Sequence, residues 1–220
     1  MKIHHTLAIF SVTAALLASS QSALAHTTPT ASASEPVQTT STEPASKAEL
    51  LVQGTQTGKT IFPPGDTKKG GTGQPVDGIE GSSHEMLKTH THSHLALFYN
   101  GKRIAIPRGI GIVQPHKVKK NFVTGGKGFY WLHTHDATGI IHVESPDGRE
   151  YTLGNLFNIW GRPLDQKNVA GLKGAVQAYV DGKPYDGDVR NIVLGAHTLI
   201  TLYVGEKTEE PPVYSFPDGL

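Results

Sequence analysis

Three histidines, His133, His135 and His142, stand within ten residues in the stretch WLHTHDATGIIHVE, residues 131–144. A second group, His90, His92 and His94, alternates with Thr91 and Ser93 in HTHSH. Imidazole is the commonest side-chain ligand for metal ions, and its neutral form is the one that binds. Eight of the 12 histidines fall between residues 84 and 142. Two H-x-H pairs so close in sequence point to a shared task rather than to scattered hydrogen-bonding residues.

The elements that must position these rings are β-strands. Asp136-Ala137-Thr138-Gly139 reads as a four-residue hairpin turn. His133 then faces His142, and alternation with period two puts His133, His135 and His142 on one face. Cross-strand Cβ atoms stand roughly 4.5–5.5 Å apart, so rings rooted there can converge on a metal about 2.0–2.1 Å from each nitrogen. His90, His92 and His94 likewise share one side of a strand that continues as LALFY, apolar at every position and so buried on both faces. His92 and His94, nearest that apolar part, would be least solvated. Burying neutral imidazoles without partners is costly, and a metal removes the cost. The candidate ligands are His92, His94, His133, His135 and His142.

The chain has no cysteine. That excludes thiolate zinc, blue copper, disulfides and a lipid-modified cysteine. All-imidazole sites suit zinc, copper(II), nickel or iron, and copper or zinc is the expectation. Asp136 and Glu144 are candidates for ligands, for acceptors that orient a ring through its other N–H, or simply for turn and hairpin residues. Met86, a soft ligand for copper(I), stands alone. His116 in QPHKVKK and His197 in a turn read as structural or solvated.

Elsewhere the pattern is of short strands and turns. Asn100-Gly101 and Asp181-Gly182 are hairpin signals, since both central positions of a type I′ turn take positive φ. FYWLHTHD, GIIHVES and the two halves of NIVLGAHTLITLYVG read as strands, and KAELLVQ as a short strand or helix. One segment breaks the pattern: Leu153, Leu156, Phe157 and Trp160 follow i, i+3, i+4, i+7 spacing, with Thr152 as N-cap, Gly161 as C-cap and Pro163 beyond. The fold class expected is all-β, a β-sandwich of cupredoxin or immunoglobulin type built from short antiparallel strands, with one short helix over one end.

Residues 1–25 read as a secretory signal peptide, with an apolar run from Leu7 to Leu17 and cleavage after Ala23-Leu24-Ala25. The run is too short to span a bilayer. Residues 26–83 read as a Ser/Thr/Pro-rich, then Gly-rich, disordered linker, and residues 84–220 as the histidine-rich domain. The protein is thus expected to be periplasmic or secreted. Cleavage would expose His26, whose amine and ring together resemble the histidine brace of copper-binding sandwich proteins, although a disordered-looking stretch follows it. A net charge of +1 excludes the large basic field of a nucleic-acid binder. GTQTGKT, residues 54–60, has three residues between glycines where a phosphate-binding loop needs four.

HTHSHLALFYNGKRIAIPRGIGI, then FYWLHTHDATGIIHVESPDGREYTLGNLFNIWG, then VYSFPDGL, resembles a family of exported bacterial proteins. Its members carry H-x-H-x-H-L, N-G, I-P-x-x-I-G-I, L-H-T-H-D-x-x-G-I-I-H-x-E and an F-x-x-W-G helix. The likeness runs from about His90 to Leu220, and His90, His92, His94, His133, His135 and His142 all match it. The resemblance implies that the histidines act as a unit and names no reaction. Many relatives have a cysteine just before Y-W-L-H-T-H; its absence here argues against cysteine as an essential ligand. Cupins place a glutamate after H-x-H that is missing here, and α-carbonic anhydrases share only the geometry of three strand-borne histidines.

Three functions remain open from sequence. One is metal binding by three or four histidines. Another is a metalloenzyme with three histidines, a metal-bound water, and Glu144 or Asp136 as general base. The last is a metal-free interaction or adhesion domain on a flexible stalk. Nothing in the sequence decides whether the protein is an enzyme.

Overall fold

The segment marked as apolar on both sides becomes the axis of a seven-stranded sheet. The computed structural model describes residues 47–65, 70–84 and 88–220. The strands that matter here are β1 (Thr89–Tyr99), β2 (Lys102–Ile104), β3 (Lys117–Lys119), β4 (Phe122–Gly125), β5 (Leu132–His133), β6 (Ile140–Ser145), β7 (Val176–Val180), β8 (Lys183–Tyr185) and β9 (Leu199–Val204). The large sheet has the order β8-β7-β9-β1-β6-β5, with β2 also paired to β1. Several short two- and three-stranded sheets surround it. The fold is all-β and sandwich-like, as expected.

Turn chemistry sets the local registers. Asn100 and Gly101 have φ of 46° and 70°, and Asp181 and Gly182 have 51° and 75°. These left-handed pairs close β1–β2 at Tyr99↔Lys102 and β7–β8 at Val180↔Lys183. Gly139, φ 93°, lies so close to the sheet that a Cβ there would fall 2.3 Å from the Leu95 carbonyl oxygen. Only glycine lets the chain pass this tightly into β6.

Alternation divides the sheet into two buried faces. Leu95 and Leu97 of β1, Ile141 and Val143 of β6, Leu132 of β5, and Ile200 and Leu202 of β9 pack into the main core. The helix α1 (Leu153–Trp160) joins that core, burying Leu153, Leu156, Phe157 and Trp160. Thr152 caps it reciprocally with Asn155, and Gly161 ends it at φ 68°. Each such side chain contributes roughly 1.5–3 kcal/mol on burial. The opposite face carries Ala96, Phe98, Ile140 and Tyr203 beneath Leu51 and Tyr214. The histidines of β1 and β6 belong to this second face.

Three expectations are corrected. First, the sheet is not purely antiparallel, because β9 runs parallel to β1, from Leu199↔His94 to Val204↔Tyr99. A long crossover joins them, and both strands are covered on two faces, as parallel pairs require. Second, the folded domain does not begin at residue 84. Leu51, Phe62 and Ile79 are buried, Glu49–Leu50 pairs with Tyr214–Ser215, and Gly81–Ser82 pairs with Gly128–Tyr130. These apolar residues are too sparse to form a periodic pattern, yet each fills a gap in the core. Third, the first half of NIVLGAHTLITLYVG is not a strand: it follows a 3-10 turn, Val189–Asn191, capped by Asp188, and forms only an isolated bridge, Val193 with Thr152. The expected signal peptide, its expected cleavage point after Ala25, His26, Met86 and the expected linker up to residue 46 lie outside the described residues. Among the described residues no helix is long and apolar enough to cross a membrane.

Candidate metal centre

His92, His142 and His133 form a row across three adjacent strands. The register pairs His142 with His92 of β1 and with His133 of β5. One step along, Glu144 pairs with His90. Because alternation keeps such partners on one face, five side chains meet there. His135 joins from just past β5, its ring centroid 4.5 Å from that of His142. Two overlapping groups result, each with donor atoms within 4.8 Å of one another: His133, His135, His142 and Glu144, and His90, His92, His142 and Glu144. Such groups can hold a metal ion.

The first group is fully buried, and its tautomers are fixed by its surroundings. Backbone carbonyls only accept, so His133 Nδ1–H donates to Tyr130 O at 2.8 Å, and His135 Nδ1–H donates to Val123 O at 2.6 Å. The two Nε2 atoms then face each other 3.0 Å apart. In neutral rings that brings two lone pairs together, and only a proton or a metal ion between them relieves the repulsion. Glu144 Oε1 stands 3.2 Å from His142 Nδ1 and 3.9 Å from His133 Nε2. Donors about 2.0–2.2 Å from a tetrahedral ion are roughly 3.3–3.6 Å apart. A tetragonal shell gives about 2.8 Å for neighbours and about 4 Å across. The observed separations of 3.0, 3.2 and 3.9 Å bracket the tetrahedral values and fall within the tetragonal range.

The second group opens towards solvent. His90 is 43% exposed and its Nε2 lies 3.2 Å from Glu144 Oε1, while His92 is buried. Two buried atoms lack hydrogen-bond partners here, His92 Nε2 and Glu144 Oε2.

Burial tunes the imidazoles towards the ligating form. It is the largest influence holding His133 and His142 well below the ordinary histidine pKa, helped by neighbouring histidines. Burial, then His90, lowers His92 to about 4. Burial also raises Glu144, opposed by His90 and His135. Rings kept neutral at pH 7 are ready to ligate without losing a proton.

Phenylalanines and a hairpin cover the group. Phe122 of β4 stacks on His135 at 4.5 Å with planes 4° apart, and Phe129 meets His133 edge-on. Val123 N donates to His135 O at 2.8 Å, tying the β3–β4 hairpin over the ring. That hairpin turns at Lys120-Asn121, both with positive φ. Without a glycine, KVKKNF gave no turn signal.

The structure brings together four of the five histidines expected as ligands, His92, His133, His135 and His142, and sets His94 apart. His94 lies outside both groups because its Nε2–H donates to Thr138 O at 3.0 Å and its ring packs 4.2 Å from Tyr214. In its place stand His90, which alternation had already put on the right face, and Glu144, which belongs to the donor set itself. Asp136 is a turn residue: Oδ1 accepts from Thr138 N and Oδ2 from Gly54 N, at 3.0 and 2.6 Å. His116 and His197 each bond a backbone carbonyl, of Ile112 and Leu220 respectively.

The fold and site define an all-β domain with a buried His/Glu cluster able to hold a metal ion. In comparisons with protein families, curated proteins and solved structures, nothing matches the chain.

Proposed function

We propose that this protein is an exported metal-binding protein that holds a zinc or copper(II) ion at His133, His135, His142 and Glu144. The observation that carries this reading is the 3.0 Å approach of His133 Nε2 to His135 Nε2 when both Nδ1 atoms are committed to carbonyls. A proton would serve that one pair. A metal ion accepts both nitrogens together with His142 and Glu144. Nitrogen and oxygen donors without sulfur favour zinc or copper(II) over copper(I). The resemblance of the motif string to that of exported bacterial proteins supports treating these histidines as one unit. The apolar run before Ala25 supports export to the periplasm or beyond.

Elemental analysis of untagged protein tests the ligand set. Stoichiometric zinc or copper, lost in the His133→Ala/His135→Ala double variant, is expected. Unchanged metal content in that variant contradicts the assignment. N-terminal sequencing of the mature protein should begin at His26, and an intact Met1 would contradict export.

A further inference from the structure

We propose that the cluster is a two-cation centre, with a second zinc or copper(II) ion held by His90 and His92 and with Glu144 as the bridging carboxylate. This rests on the metal-binding reading above. Six side chains converge, more than one four-coordinate ion can use, and they divide into two groups that share only His142 and Glu144. His92 and His133 fall in different groups because they belong to the two outer strands of the row, β1 and β5, with β6 between them. The two centres are therefore offset by about one strand spacing, roughly 4.8 Å or less. Paired ions in known two-metal sites stand about 3.5–4 Å apart.

The unsatisfied atoms point the same way. Glu144 Oε1 stands between the groups, facing His133 and His142 on one side and His90 Nε2, at 3.2 Å, on the other. Glu144 Oε2 and His92 Nε2 remain buried without a hydrogen-bond partner. Buried polar atoms left bare are costly. A second cation held by His90 and His92 takes up the bare His92 nitrogen and meets Glu144 from the side where His90 stands 3.2 Å from the carboxylate. His142 can complete only one shell with a given ring nitrogen. One ion then has four protein donors, and the other has three with a position left for water or a small anion. The exposed ring of His90 places solvent beside this second group.

Titration of chelator-stripped, full-length protein with Zn²⁺ against a chromophoric competitor tests this. Two equivalents in the native protein are expected, falling to one in His92→Ala with the remaining affinity within about threefold. His90→Ala, at the solvent edge, is the second variant should His92→Ala lose its near-ultraviolet circular dichroism. It should weaken only the second equivalent, by tenfold or more. A single equivalent in the native protein, left unchanged by either variant, overturns the second position while the first stands. Two equivalents retained in both variants overturn the ligand assignment. No bound zinc, and no bound Cu²⁺ in the same titration, overturns the metal-binding reading as well.

Discussion

His94 and the His/Glu cluster lie on the same face of the same sheet, and both bury imidazole. Their chemistry differs because of what crosses over them. His94 commits Nε2–H to the Thr138 carbonyl and packs on Tyr214, some 120 residues further along the chain, and its Nδ1, though buried without a partner, lies outside both donor groups. His133 and His135 spend their N–H groups on carbonyls and turn their remaining nitrogens towards each other. A buried histidine with a private partner is structural. Buried histidines whose donor nitrogens converge on one point are able to hold a metal ion.

The largest effect that separates the two regions is metal removal. A ligand present at 1,000 times its Kd stabilises the folded state by about 4 kcal/mol. Thermal melts with and without chelator should show a loss of that order in the native protein, and an equal loss in His94→Ala. Equal melts with and without chelator in the native protein would break the distinction. His94→Ala should itself cost roughly 2–3 kcal/mol, from the cavity under Tyr214 and the stranded Thr138 carbonyl, while metal stoichiometry stays as in the native protein. Loss of metal in that variant would mean that the two regions are one.

Acid should act on both regions in the metal-free protein. Burial holds His92 at about 4 and His94 at about 3, against an ordinary value of 6.5. Below pH 6.5 the unfolded chain takes up protons that the native state refuses, so stability rises with pH in that window. It is fully present above 6.5 and is lost as pH falls towards 4 for His92 and towards 3 for His94, by up to about 1.4 kcal/mol per pH unit for each ring. Urea melts between pH 4.5 and 6.5 should show this slope, and it should be shallower in His94→Ala. A flat profile would contradict the burial account. The smallest effect concerns the cover. Phe122→Leu should cost about 0.5–1.5 kcal/mol through lost stacking on His135. It should speed metal release in a chelator-capture assay while leaving the metal count unchanged; an unchanged release rate would separate the cover from the site.

Much of this arrangement can be read from the sequence because it is local. The facing of His133 and His142 follows from one turn, the helix caps from Thr152 and Gly161, and both type I′ hairpins from Asn-Gly and Asp-Gly. Non-local packing cannot be read this way. Period-two alternation places His90, His92 and His94 on one face but does not say that Tyr214 will cover the third. Glu144 reads as a hairpin acid until the His90 register is known. Phe62 and Ile79 sit in Gly- and Pro-rich surroundings that suggest a linker, Leu51 in a segment too short to mark a domain, and only the finished core shows the gaps they fill. The parallel pairing of β1 and β9 depends on a long crossover that leaves no short-range signature.

The central claim is that a metal ion occupies the focus between His133 Nε2 and His135 Nε2. An anomalous difference map from crystals of protein loaded with zinc tests it most directly. The account predicts a peak about 2.0–2.1 Å from both nitrogens. Well-ordered rings still about 3.0 Å apart with no peak between them, or a peak only at some other histidine, would contradict it.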